Sequence, residues 1–166
     1  VSYSDFDKDG DYDLFVGGRL EPNIYGLPSS SFLFTNNGKG VFSDQSDSIA
    51  TSLKFLGMVT DSKWVDLDND NDDDLIVVGE WMPIKVFINV GDSLVDRSIE
   101  YGFDKTNGWN HTIEVSDFNN DGFYDIIIGN YGLNSRLKAS QKYPLTMLVN
   151  DFDNNGTVEQ ILGMYR

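Results

Sequence analysis

Apolar residues along this chain gather in short runs. Phe32-Leu33-Phe34, Leu75-Ile76-Val77-Val78, Val86-Phe87-Ile88 and Ile126-Ile127-Ile128 are β-branched or aromatic and are bounded by Gly, Asn and Asp. Runs of that length and composition predict strands. None is long enough, or periodic at ~3.6 residues, to favour a helix. The fullest unit runs from about Met58 to Glu100: strand, acidic loop, strand, a short turn at Trp81-Met82-Pro83, strand, an Asn-x-Gly hairpin, strand.

The acidic loop recurs. DFDKDGDYDLFVGG begins at Asp5, DLDNDNDDDLIVVG at Asp66, DFNNDGFYDIIIG at Asp117 and DFDNNGTVEQILG at Asp151. Each copy has oxygen side chains at positions 1, 3, 5 and 9, Gly or Asn at position 6, and an apolar run that reaches Gly. The hairpin also repeats: FTNNGKGVFSD aligns with FINVGDSLVDR, pairing Asn36 with Asn89, Gly38 with Gly91 and Phe42 with Val95. Four short antiparallel strands per repeat is the pattern of a β-propeller blade. The fold expected is all-β, a partial propeller of about three and a half blades of four-stranded antiparallel sheets. A single propeller segment spans 1–166, with blades at 1–55, 56–105, 106–143 (abbreviated) and 144–166 (partial). GGRLEPNIYGLPSSS in the first blade reads as an inserted surface loop.

Alternating carboxylates around a tight turn suit calcium, a hard cation that takes about six to eight oxygen ligands. An EF-hand would place its closing acid at position 12 between two helices. Here position 12 is Val16, Val77, Ile128 and Leu162, all apolar. The closing acid stands instead at position 9, and strand sequence follows it. The ligand set expected in the first loop is Asp5, Asp7 and Asp9, the backbone carbonyl of Asp11, and Asp13. Its counterparts are Asp66, Asp68, Asp70, Asp72 and Asp74; Asp117, Asn119, Asp121, Phe123 and Asp125; and Asp151, Asp153, Asn155, Thr157 and Glu159. Three to four calcium ions follow. Magnesium, which keeps several waters, fits less well. The third and fourth loops carry fewer charges and are expected to bind more weakly. Against all this stands the plain reading as solvated turns, where Asp, Asn and Gly abound for their own reasons. The fourfold spacing argues against it.

Charge sharpens the picture. The net charge is -15, and 17 of the 27 Asp and Glu lie within the four loops. The acidity is therefore local. Nucleic acid and anionic membrane are disfavoured as partners, and no apolar stretch approaches the ~18 residues of a membrane span. With no cysteine, disulfides, zinc-thiolate sites and a Cys nucleophile are excluded. Both ends read as cut from something longer.

The motif D-x-D-x-D-G-x-x-D followed by an apolar strand and Gly resembles the calcium loop of FG-GAP (VCBS) repeats, the blades of integrin-like propellers. GEWMPIKVFIN, GNYGLNS and LVNDFDNNGTVEQIL are similar to bacterial extracellular proteins that couple such repeats to an ASPIC/UnbV domain. The resemblance implies a secreted or cell-surface protein with a calcium-stiffened propeller. Remaining blades would come from the parent chain or another copy.

The leading functional reading is a binding module that presents loops to a protein or glycan. Tyr25, Trp81, Trp109 and Tyr131 are candidate contacts, although large aromatics serve blade packing as readily. The rival is an enzyme resembling extracellular polysaccharide lyases, whose base would be the single histidine, His111, with Lys63 or Arg136 as cationic groups; no nucleophile elbow or phosphate loop appears. A spacer that binds only calcium is the third. A contiguous exposed aromatic patch separates the first from the third. The sequons at Asn110 and Asn155 read as chance.

Overall fold

The computed structural model describes residues 1–165, apart from the side chain of Leu133. Arg166, the last residue of the expected propeller segment, lies outside the described residues. The architecture is all-β and antiparallel. β1 (Ser2–Ser4), β2 (Asp13–Val16), β3 (Phe32–Asn36) and β4 (Phe42–Asp44) form one four-stranded meander. β5 (Met58–Val65), β6 (Asp74–Met82), β7 (Lys85–Asn89) and β8 (Leu94–Asp96) form a second. β9 (Gly108–Ser116) pairs with β10 (Asp125–Asn130), and β11 (Thr146–Asn150) with β12 (Glu159–Gly163), as two-stranded hairpins. In each sheet the acidic loop joins the first strand to the second.

The first strands β1, β5 and β9 lie side by side. Ser2 Oγ meets Ser62 Oγ at 2.8 Å, and Thr60 Oγ1 donates to the carbonyl of Asn110 at 2.7 Å. Two cores sandwich the second sheet. Leu75, Val77 and Phe87 pack with Phe6, Phe15 and Leu33 of the first sheet, whereas Ile76, Val78 and Val86 pack with Ile113, Ile126 and Ile128 of the third. A strand buried on both faces has no polar alternation, which is why Leu75 to Val78 reads as an unbroken apolar run. The third sheet has one open face: Ile127 points outward while its neighbours point in.

The glycines that end these runs are steric requirements. A Cβ on Gly17 would stand 2.4 Å from Val59 Cγ1, and one on Gly79 would stand 2.3 Å from the carbonyl oxygen of Met58.

Two local expectations are corrected. Trp81 and Met82 do not form a turn. β6 continues through them, with a register shift at Trp81, whose φ is 60°, and its tail pairs with β9 through Glu80↔Trp109 and Met82↔Gly108. A one-turn helix, α1 (Ser46–Ile49), and a 3₁₀ turn (Thr51–Leu53) follow β4, and Ala50 and Leu53 of this segment are buried in the first core. Finally, Phe42 corresponds to Leu94, not Val95. Phe42 pairs with Asn36 and Leu94 with Asn89, so the first hairpin turn is one residue longer.

Candidate metal centres

The four acidic loops fold alike because the same backbone conformations recur. Position 4 is left-handed in every copy (Lys8, Asn69, Asn120, Asn154), and so is position 6 (Gly10, Asn71, Gly122, Gly156). Asn and Gly accept that region most easily, and only Lys8 departs from the preference. Two such residues in nine coil the chain so that alternate side chains turn inward.

Three hydrogen bonds repeat across the copies. The first aspartate accepts from the N–H of position 6: Gly10 to Asp5 at 3.4 Å, Asn71 to Asp66 at 2.9 Å, Gly122 to Asp117 at 2.9 Å and Gly156 to Asp151 at 2.9 Å. Position 5 accepts from the N–H of position 7, onto Asp9, Asp70, Asp121 and Asn155. The closing acid accepts from the N–H of position 2: Phe6 to Asp13 at 3.3 Å, Leu67 to Asp74 at 2.8 Å, Phe118 to Asp125 at 3.0 Å and Phe152 to Glu159 at 2.9 Å.

The first two loops have an additional anchor. Asn36 N–H donates to Asp13 Oδ1 at 2.9 Å, and Asn89 N–H to Asp74 Oδ1 at 2.8 Å. Asp13 and Asp74 are fully buried in consequence. Among the described residues no further strand pairs with β10 or β12 on the side away from β9 and β11, and the closing acids Asp125 and Glu159 are only half-buried.

Carboxylate oxygens of Asp5, Asp7 and Asp13 lie within 4.8 Å of one another, as do those of Asp66, Asp68 and Asp70, and those of Asp151, Asp153 and Glu159. The third loop supplies an amide, Asn119, among Asp117, Asp121 and Asp125, and forms no such all-acid group. Asp11 and Asp72, assigned to the loops through their carbonyls, send their carboxylates elsewhere: Asp11 accepts from Gly38 N–H at 2.8 Å, and Asp72 pairs with Lys8. Phe123 and Thr157 occupy the same position 7 in the third and fourth loops.

The electrostatics suit a cation. Burial raises the Asp74 carboxyl to about 6, against the N–H donors of Asn89 and Leu67, with the charges of Asp68 and Asp70 adding to the rise. Burial also raises Asp7, Asp13 and Asp68, and neighbouring aspartates push in the same direction. Lys8 is raised by its hydrogen bond to Asp72. Crowded carboxylates with no thiolate or imidazole among them make an all-oxygen donor set, which matches a hard divalent ion and not zinc or copper.

The FG-GAP-like repeat family model matches residues 5–77 and again 66–128, each match running from one acidic loop through the next. The chain belongs to the FG-GAP-like repeat family. No curated protein matches it. FG-GAP-like repeats are typical of extracellular proteins and are typically non-catalytic. Among the described residues no helix is long and apolar enough to cross a membrane.

Sequence reading missed a second repeated device of these FG-GAP-like units. Asp44 Oδ1 accepts from Ser46 N–H and Oγ–H, and Ser46 Oγ accepts from Leu33 N–H at 2.9 Å. Asp96 and Ser98 repeat this clasp on Val86 N–H at 3.0 Å. The signal was a D-x-S in each unit, hidden by the one-residue difference in the hairpins.

The aromatic candidates converge at the opposite end of the strands. Trp81 Nε1 donates to Tyr25 Oη at 2.9 Å, and Tyr25 O–H donates to Glu80 Oε2 at 2.9 Å. Ring centroids of Trp81 and Trp109 lie 5.6 Å apart, as do those of Trp109 and Tyr131. His111 stands at 6.1 Å from Tyr131 and 3.8 Å from Glu80 Oε1, which also holds Arg19 at 2.7 Å. Lys63 pairs with Glu114, and Arg136 is not part of this group. The sequon residue Asn110 is buried, and Asn155 sits inside the fourth loop.

Proposed function

We propose that this chain is a calcium-stiffened propeller module of a secreted or cell-surface protein, with a structural ion in each acidic loop and an interaction surface for a protein or glycan. The observation that carries the calcium reading is the fourfold repeat of one loop conformation, with acids converging in three of the four copies. The repeated carboxylates would hold the ion. Calcium supplies charge neutralisation and crosslinking of each turn to its strands. Tyr131, the exposed member of the aromatic group with the half-buried Tyr25, Trp81 and Trp109, favours a binding module over a bare spacer.

The experiment is a thermal melt of the chain in chelator, then in calcium, then in magnesium. Free ion at about a hundredfold above Kd adds about 2.7 kcal/mol per native-only site. A rise in Tm specific to calcium is the expected result. Equal curves in chelator and calcium would reduce the loops to acidic turns.

One observation favours a second reading. His111 lies beside Arg19, Tyr25 and Tyr131, a set that a polysaccharide lyase could use as base and cation. Yet Tyr25 and Arg19 are both engaged by the buried Glu80, and the basin they line is small, about 290 Å³. Incubation with uronate polysaccharides, followed for unsaturated product, decides this; no product is the outcome the binding-module reading requires.

A further inference from the structure

The aromatic group bridges two recesses. On one side Trp109, His111, Tyr131, Arg19, Tyr25 and Glu80 line the small basin. On the other lies a larger cleft of about 870 Å³, whose walls include Trp81, Trp109, Asn107, Asn130, Gln141 and Ser140. Trp109 belongs to both. The ends of the strands that carry these residues lie away from the acidic loops: Glu80 and Trp81 close β6, whose start is Asp74, and Trp109 and His111 open β9, whose end leads to Asp117.

The polar groups of the cleft include three amides and two hydroxyls beside the oppositely charged Asp104 and Lys105. Asn130 Nδ2 donates to Asn110 Oδ1 at 2.7 Å. Asn110 is 4% exposed, and its Nδ2 has no hydrogen-bond partner. That donor is itself enclosed, so the amides that face the cleft are Asn107, Asn130 and Gln141.

Charge decides between ligand classes. Arg19 is balanced by Glu80, and Lys105 stands beside Asp104 in the cleft wall. The surface is close to neutral on a chain of net charge -15, which repels polyanions at long range. Aromatic faces with planar amides around them match the alternating apolar and hydroxyl surfaces of a pyranose ring. A neutral molecule meets no electrostatic penalty. We propose that the face opposite the acidic loops binds a neutral hexopyranose oligosaccharide across Trp109, stacked on Trp109 and Tyr131 and hydrogen-bonded by the cleft amides Asn107, Asn130 and Gln141. This rests on the interaction-module reading but does not depend on calcium.

The test uses the whole chain in calcium, titrated with cellohexaose, mannohexaose, galactohexaose, chitohexaose and hexagalacturonate. Tryptophan emission and calorimetry are the readouts. At least one neutral hexasaccharide is expected to bind, and Tyr131→Ala to weaken it by about tenfold, with Tm unchanged because Tyr131 is half exposed. Trp109→Phe, which keeps an apolar ring in place, is expected to weaken binding with less risk to the fold. No response to any neutral sugar would overturn the proposal; so would binding of hexagalacturonate alone, or full affinity in Tyr131→Ala. Calcium uptake by the same preparation is recorded in parallel, so failure of the loops and failure of the sugar site are separate results.

Discussion

The backbone N–H of Asn89 donates to Oδ1 of Asp74 at 2.8 Å, so the third strand of the second sheet ends on the closing carboxylate of its acidic loop. The Asn89 side chain extends the connection to the neighbouring sheet. Its Nδ2 donates to the carbonyl of Phe6 at 2.9 Å, inside the first acidic loop, while its Oδ1 accepts from Gly91 at 3.0 Å. One residue thus ties two loops and a hairpin together.

Asn89→Ala keeps the backbone donor to Asp74 but strands the buried Phe6 carbonyl. The expected loss is about 1–3 kcal/mol, read as a lower urea midpoint with unchanged slope. Calcium stoichiometry should stay the same, since the ligand acids are untouched. A variant that loses calcium without losing stability would contradict this division of roles.

The raised carboxyls give a signed pH dependence. In the metal-free chain Asp74 titrates at about 6 against a usual 3.8, so the folded state holds its proton over a range where the unfolded state has lost it. Stability of the chelated chain should therefore be greatest at low pH and fall as pH rises from about 4 to about 6, by on the order of 3 kcal/mol from this group. Asp7, Asp13 and Asp68 act in the same direction. Calcium reverses the trend, because proton and ion compete for the same oxygens. Melts at pH 5 and 7, with calcium and with chelator, should give opposite slopes.

The loops should fill in two classes. Asp13 and Asp74 each accept two backbone N–H bonds and are fixed by a third strand, whereas Asp125 and Glu159 each have one. A preorganised site loses less freedom on binding. Asp66→Asn should remove a tight site and Asp117→Asn a weak one, as calorimetry of the two variants will resolve.

The clasps are predicted to be structural. Ser98 is buried, and Ser98→Ala leaves both Asp96 and the Val86 N–H short of a partner. A loss of about 1–3 kcal/mol is expected, with a comparable loss for Ser46→Ala and no change in calcium uptake. Asp96 should become a weaker acid in the same variant. Burial raises its carboxyl, and the hydrogen bonds of Lys85 and Ser98 outweigh that and hold it low.

What could be read from the sequence was what occurs four times. The left-handed positions of the acidic loops favour Asn or Gly, with Lys8 the one exception, the inward positions demand oxygen, and each copy repeats the pattern, so strands and loops were legible together. Features present twice were obscured: one extra residue in the first hairpin shifted Phe42 against Val95 and hid the Asp44–Ser46 and Asp96–Ser98 clasps. Features present once left no pattern. The left-handed Trp81 inside β6 contradicts local preference and is held there by its bond to Tyr25 and by the pairing of Glu80 and Met82 with β9. Likewise the convergence of Tyr25, Trp81, Trp109 and Tyr131 depends on how separate sheets meet, and no spacing in the chain encodes it.

The most direct measurement is a calorimetric calcium titration of the chelator-stripped chain. The account predicts three to four ions bound in two affinity classes, with Asp66→Asn abolishing one equivalent. No heat of binding, or uptake that survives substitution of the first aspartate in all four loops, would contradict it.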